Sequence, residues 1–161
     1  MTGRPLWFVA CAAVVLGLGL ALFVRAVLSR RLVSVTVHGV SMEPTYRQGD
    51  QVLVRRRPAG AGEVVVVEQP DADGRWRSPE MSARPGDLTR RRWLIKRVAA
   101  APGDEVPRDR VPALADTAED RVPAGHLVLL GDNPRASLDS RSVGYFPAAR
   151  VLGTVVGHPR R

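Results

Sequence analysis

The chain is poor in the residues that usually announce a metal centre, a redox framework or a nucleic-acid surface. It has one cysteine, Cys11, so no internal disulfide is possible and cysteine pairing says nothing of the redox compartment. Its three histidines, His38, His126 and His158, are scattered. No Cys/His cluster has metal-ligand spacing, and the sequence calls for no cofactor. Aromatic residues make up only 5% and do not interleave with the basic ones, which leaves base stacking without support. There is no internal repeat. Lysine is almost absent: of 24 basic residues only Lys96 is a lysine and the rest are arginine. Acidic residues number 16, so the formal net charge is +8. The arginines are spread along the chain apart from the runs Arg55–Arg57 and Arg90–Arg92. This pattern reads as solvated surface near a membrane rather than a nucleic-acid site.

At 161 residues the length suits one ordinary domain. Leu6–Val24 is a run of 19 residues without a charge. A helix of that length, at ~1.5 Å per residue, spans roughly the ~30 Å hydrocarbon core. A cleavable signal peptide normally has a shorter apolar region, about 7–15 residues. No clean small-x-small cleavage site follows before Arg30-Arg31, so the segment is expected to be a retained anchor. Arg25, Arg30 and Arg31 follow it and only Arg4 precedes it. Charge counting alone therefore puts the long C-terminal part inside.

Beyond the anchor, Val33, Val35 and Val37 alternate with polar residues, which predicts a half-buried strand. Gly39 ends it, Pro44 and Gly49-Asp50 mark turns, and Gln51–Val54 reads as the next strand. Ser41 then stands at a strand end on a constrained bend, where a hydroxyl can be presented as a nucleophile. The alternative is a polar residue in an ordinary connection. Glu63–Glu68, with four consecutive valines, reads as a buried strand. Residues 69–92 read as a long polar loop.

Trp93–Val98 is the second informative stretch. In a strand Lys96 shares a face with Leu94 and Val98, whereas Arg97 faces with Trp93 and Ile95. One of the two cations must meet the interior. Lysine is the one that can give up its charge, because burial lowers an ammonium pKa while arginine stays protonated. A neutral amine at pH 7 costs about 4.6 kcal/mol from an ordinary pKa of ~10.4. Burial shifts of ~3–5 units can supply most of that. A lysine snorkelling from a sheet edge is the competing reading. Glu105–Gly125 reads as an excursion with no obvious core of its own. His126–Leu130 reads as a buried strand leading into the polar stretch Gly131–Gly144, and Val151–Val156 as the last strand.

Taken together, Ser41-Met42 with Pro44-Thr45 and Gly49-Asp50, then Lys96-Arg97-Val98 with Pro102-Gly103-Asp104, then Gly131-Asp132-Asn133, Ser137, Asp139-Ser140-Arg141 and Gly144 resemble the three boxes of the type I signal peptidases. These are the serine–lysine, membrane-anchored proteases of family S26. The resemblance covers roughly residues 33–157 behind the anchor. It implies Ser41 as nucleophile, Lys96 as general base and Ser137 as a hydrogen-bond partner orienting the amine. Asp139 with Arg141, and Asp132, would brace the third box. Met42 would help line a pocket for a small substrate residue, and the Ser41 N–H would donate to the oxyanion. Some members carry a serine as second donor where this chain has Gly39.

The implied fold is mainly β, a signal-peptidase-like catalytic β domain with one N-terminal transmembrane helix. The expected boundaries are a tail at 1–5, the transmembrane helix at 6–28 and the catalytic domain at 33–157, with a mobile loop at 69–92. The implied activity is removal of signal peptides from exported preproteins after small residues of the Ala-x-Ala type. The partners would be preproteins and the lipid bilayer, with no nucleic acid. The chain would be single-pass in the cell membrane, its catalytic domain on the extracytoplasmic side against the arginine count. An S26-type maturation protease dedicated to one partner is the alternative within this chemistry. A non-enzymatic, membrane-tethered basic module is the alternative outside it, and leaves the lone boxed lysine unexplained.

Overall fold

The structure, a computed structural model, describes residues 17, 19, 32–76 and 91–157. The expected transmembrane helix at 6–28 lies outside the described residues apart from Gly17 and Gly19. Among the described residues no helix is long and apolar enough to cross a membrane. The chain divides into two units, Met1–Val33 and Ser34–Arg161, and the second carries every expected site residue.

Among the described residues seven strands form one sheet: β1 Leu32–Thr36, β2 Gln51–Arg55, β3 Val64–Glu68, β4 Trp93–Ala100, β5 His126–Leu130, β6 Phe146–Pro147 and β7 Val151–Val155. Their order is β1-β2-β7-β3-β4-β5-β6. The fold is mainly β. Alternation decides β2, in which Val52 and Val54 are fully buried while Leu53 is 45% exposed. β3 is central and is buried at all five positions, pairing antiparallel with β4 on one side and β7 on the other. Burying each of its valines is worth about 1.5–3 kcal/mol.

The two faces carry separate apolar clusters. One joins Val65, Val67, Val98, Leu127, Leu129 and Phe146. Trp76 packs edge-on against Phe146, with ring centroids 5.7 Å apart. The other joins Ala100, Val128 and Leu130 to Val106, Val111, Leu114 and Val122. Residues 105–125, expected to lack a core, therefore contribute four side chains to a shared one. β5 alternates cleanly between the clusters. β4 does not, because its register against β5 shifts between Val98 and Ala100. Such a shift lets residues two apart serve opposite faces.

The arginine pattern needs correction. Arg91, in a run read as solvated surface, is buried with Arg150 around the equally buried Glu68. The guanidinium–carboxylate contacts are 2.7 and 3.1 Å. Of the expected mobile loop at 69–92, residues 69–76, 91 and 92 are among the described residues. In the first part Asp71–Gly74 closes a turn through Gly74 N–H to the Asp71 carbonyl, 2.9 Å.

Candidate active site

Three segments meet here: the loop after β1, the middle of β4 and the loop after β5. β1 stops at Thr36, and its continuation is held at the base of a loop by Val37 N–H donating to the Asp50 carbonyl, 2.8 Å. Gly39 then takes φ +80°, a left-handed conformation that glycine adopts at little cost. Ser41 opens a tight turn in which Tyr46 N–H donates to the Met42 carbonyl, 2.9 Å. Met42 is 1% exposed.

From β4, Lys96 rises on the face it shares with Val98 and with Val65, its cross-strand partner. It is 1% exposed, and its Nζ lies 2.8 Å from Ser41 Oγ, a hydrogen bond. Burial among apolar groups lowers its pKa from 10.5 to about 8. Asp139 opposes that shift, Arg141 adds to it and Asp132 opposes it.

The third segment docks on the first through backbone. Asn133 N–H donates to the Ser41 carbonyl at 2.9 Å, and Asn133 Nδ2 to the Val40 carbonyl at 3.2 Å. The approach is close enough that a Cβ on Gly131 would lie 2.7 Å from the Ser41 carbonyl oxygen and 2.2 Å from Ser137 Oγ. Asp139, wholly buried, organises the segment. Its carboxylate accepts from Gly131 N–H (2.8 Å), Arg141 N–H (3.0 Å) and Arg141 Nη1 (2.7 Å). It thereby caps the helical turn Ser140–Val143. The Asp139–Arg141 pair forms as the sequence suggested.

Two residues stand differently from expectation. Ser137 Oγ is buried but makes no hydrogen bond among the described residues, and the contact to the lysine amine is not made. Asp132 ties its own segment to the other two rather than bracing it from within. Arg97 grips its carboxylate with Nε at 2.9 Å and Nη2 at 2.7 Å, and Thr45 Oγ1 donates to it at 2.5 Å. Burial works to raise the Asp132 pKa, but the bonds from Arg97 and Thr45 outweigh it and hold it below the ordinary value. Thr45, Arg97, Gly131 and Asn133 thus belong to the site although sequence reasoning gave them no role. The signal was their membership in the three boxes, where each had been read only as motif.

A serine hydroxyl held against a desolvated amine within a β fold defines a candidate serine–lysine hydrolase site. A family model described as signal peptidase, peptidase S26 matches residues 7–113 and 108–158. The chain belongs to that family. It is 33% identical over 135 residues to the mitochondrial ATP-independent inner membrane protease subunit 1a of Arabidopsis thaliana, covering 79% of this chain and 70% of the relative. It is 32% identical over 132 residues to the mitochondrial inner membrane protease subunit 1 of Schizosaccharomyces pombe, covering 75% and 71%. It is 28% identical over 140 residues to a probable signal peptidase I-1 of Synechocystis sp., covering 70% and 63%.

Proposed function

We propose that this chain is a membrane-anchored serine endopeptidase that removes signal segments from exported preproteins after small residues. The carrying observation is the 2.8 Å contact between the buried, sole lysine and Ser41 Oγ. With its pKa near 8, Lys96 is neutral in roughly one molecule in ten at pH 7. In that form it accepts the Ser41 proton as Oγ attacks the scissile carbonyl carbon. The Ser41 N–H donates to the resulting oxyanion; Gly39 brings no second side-chain donor. Collapse breaks the C–N bond, and Lys96 returns the proton to the leaving amine. Water, deprotonated by the same amine, then attacks the acyl ester and frees Ser41. Asp139, Arg141 and Asp132 position the segment against the dyad, Ser137 adjoins it, and Met42 backs the substrate's small residue.

An extended peptide is the natural substrate form. β4 pairs with β5 only from Arg97 onward. Among the described residues Leu94 and Ile95 therefore have a strand partner on the β3 side alone. A peptide added along the other side pairs with the residues just before Lys96. The chain is single-pass, with this unit on the extracytoplasmic side where preproteins emerge; a C-terminal fusion reporter active in only one compartment decides that point.

The test is to incubate detergent-solubilised full chain with an Ala-x-Ala preprotein and sequence the new N-terminus. Cleavage directly after the second alanine, lost in Ser41→Ala, is expected. Undiminished cleavage by Ser41→Ala, or none by the parent, overturns the reading. Maturation of one dedicated partner is a second reading, since the relatives at 32–33% identity are named inner membrane protease subunits and not signal peptidases. A panel of unrelated preproteins separates the two, since a dedicated enzyme leaves nearly all of them uncut.

A further inference from the structure

On the side of β4 that carries Arg97, bordered by Thr45, Gly131 and Asp132 of the site, lies an open basin of about 640 Å³. Three guanidinium groups line it, those of Arg97, Arg110 and Arg141, against the single carboxylate of Asp132. Their donors are unequally used. A guanidinium offers five N–H groups in a planar fork. Arg97 is committed to Asp132 and, through Nη1, to the Gly62 carbonyl at 2.9 Å. Arg141 spends Nη1 on Asp139 at 2.7 Å and only a long 3.4 Å contact of Nη2 on the Gly131 carbonyl. Arg110 is exposed, and among the described residues its side chain makes no hydrogen bond or ion pair. Even when the Asp139 carboxylate buried behind Arg141 is counted, the Arg110 charge remains unbalanced.

We propose that this basin is a binding site for a phosphate-type oxyanion, gripped by Arg110 and Arg141. The planar fork matches phosphate geometry and binds it through charge-assisted hydrogen bonds. Arg97 contributes field rather than contacts. Ala99 and Leu130 add apolar lining. The same chemistry is offered by free inorganic phosphate and by an anionic lipid headgroup, and the volume admits either.

The site is coupled to the dyad. The charged groups acting on Lys96 are Asp139, Arg141 and Asp132, all from the segment after β5, and of these Arg141 alone favours the neutral amine. An oxyanion on Arg141 cancels part of that push. The occupied protein therefore needs a higher pH to reach the same fraction of neutral Lys96.

The test is calorimetric titration of the full chain in detergent micelles with inorganic phosphate, against chloride at matched ionic strength. Saturable phosphate binding is expected, weakened about tenfold or more in Arg110→Gln and less in Arg110→Lys, which keeps the charge but not the fork. Arg55→Gln, an exposed arginine on β2 outside the basin, should bind as the parent does. Displacement of phosphate by phosphatidylglycerol, but not phosphatidylcholine, added as mixed micelles with the same detergent identifies a headgroup as the occupant. Saturable binding without that displacement identifies free phosphate. Equal binding by Arg110→Gln and the parent, or a parent response no different from chloride, overturns the proposal. Because binding is read without proteolysis, its failure is distinguishable from failure of the protease reading.

Discussion

Lys96→Met should leave a protein that no longer cleaves but is harder to unfold at neutral pH. Methionine fills a similar volume without a charge to desolvate. Burial lowers the Lys96 pKa from 10.5 to about 8. That displacement of about 2.5 units, at ~1.36 kcal/mol each, amounts to roughly 3 kcal/mol. Between the two values the unfolded chain holds more protons than the folded one, so wild-type stability rises with pH across this window. Below about 8 the ammonium is present in both states and its burial cost is felt in full. Losing the hydrogen bond to Ser41 takes back about 1 kcal/mol. The variant should thus be about 2 kcal/mol more stable than wild type at pH 7 and lose that advantage near pH 10.5. Urea unfolding of the full chain in micelles, followed by near-ultraviolet circular dichroism, measures both. Tyr46, whose pKa burial raises above its ordinary value, is common to both proteins and cancels in the difference. A wild-type-to-variant difference that is the same at both pH values refutes the reasoning.

Other substitutions probe the supports. Gly131→Ala puts a methyl 2.2 Å from Ser137 Oγ and 2.7 Å from the Ser41 carbonyl oxygen, so the two segments must part. Overpacking of this kind costs about 1–3 kcal/mol, and peptide cleavage should fall by about a hundredfold or more, measured as kcat/KM. Ser137→Ala removes a buried hydroxyl that has no partner, so denaturation should show stability unchanged or raised by about 1 kcal/mol. A fall in its kcat accompanied by that unchanged stability assigns Ser137 to orienting the amine during turnover. Glu68→Gln leaves Arg91 and Arg150 without their shared carboxylate. The loss should be about 3 kcal/mol by urea denaturation, near the low end for a broken buried pair because both arginines keep further interactions.

Much of the sheet was legible because its signals are local. The four valines of β3, the alternation in β2 and the compact runs of β5 and β7 announce strands wherever they are placed. β6 was not legible, since two residues carry no periodicity and Phe146-Pro147 becomes a strand only by lying against His126 and Leu127. Arg91 was misread for the same reason: nothing beside it in sequence reveals Glu68, 23 residues away, or Arg150 beyond. Residues 105–125 looked coreless because their apolar side chains are widely spaced, and they bury in one cluster with Ala100 of β4 and Val128 and Leu130 of β5. At the site, strand parity put Lys96 on an apolar wall, and the pairing of Asp139 with Arg141 could be read from their proximity. Parity could not show that Asp132 bridges Thr45 and Arg97, which are 87 and 35 residues away.

The proton on Lys96 can be followed directly, because the chain has one lysine and therefore gives a single side-chain signal. Titrating full-length protein carrying 13C at lysine Cε, alongside the pH dependence of kcat/KM for an Ala-x-Ala peptide, should give two curves with one midpoint near 8. A lysine signal that titrates near 10.5 while cleavage is already at its maximum by neutral pH contradicts a neutral Lys96 acting on Ser41.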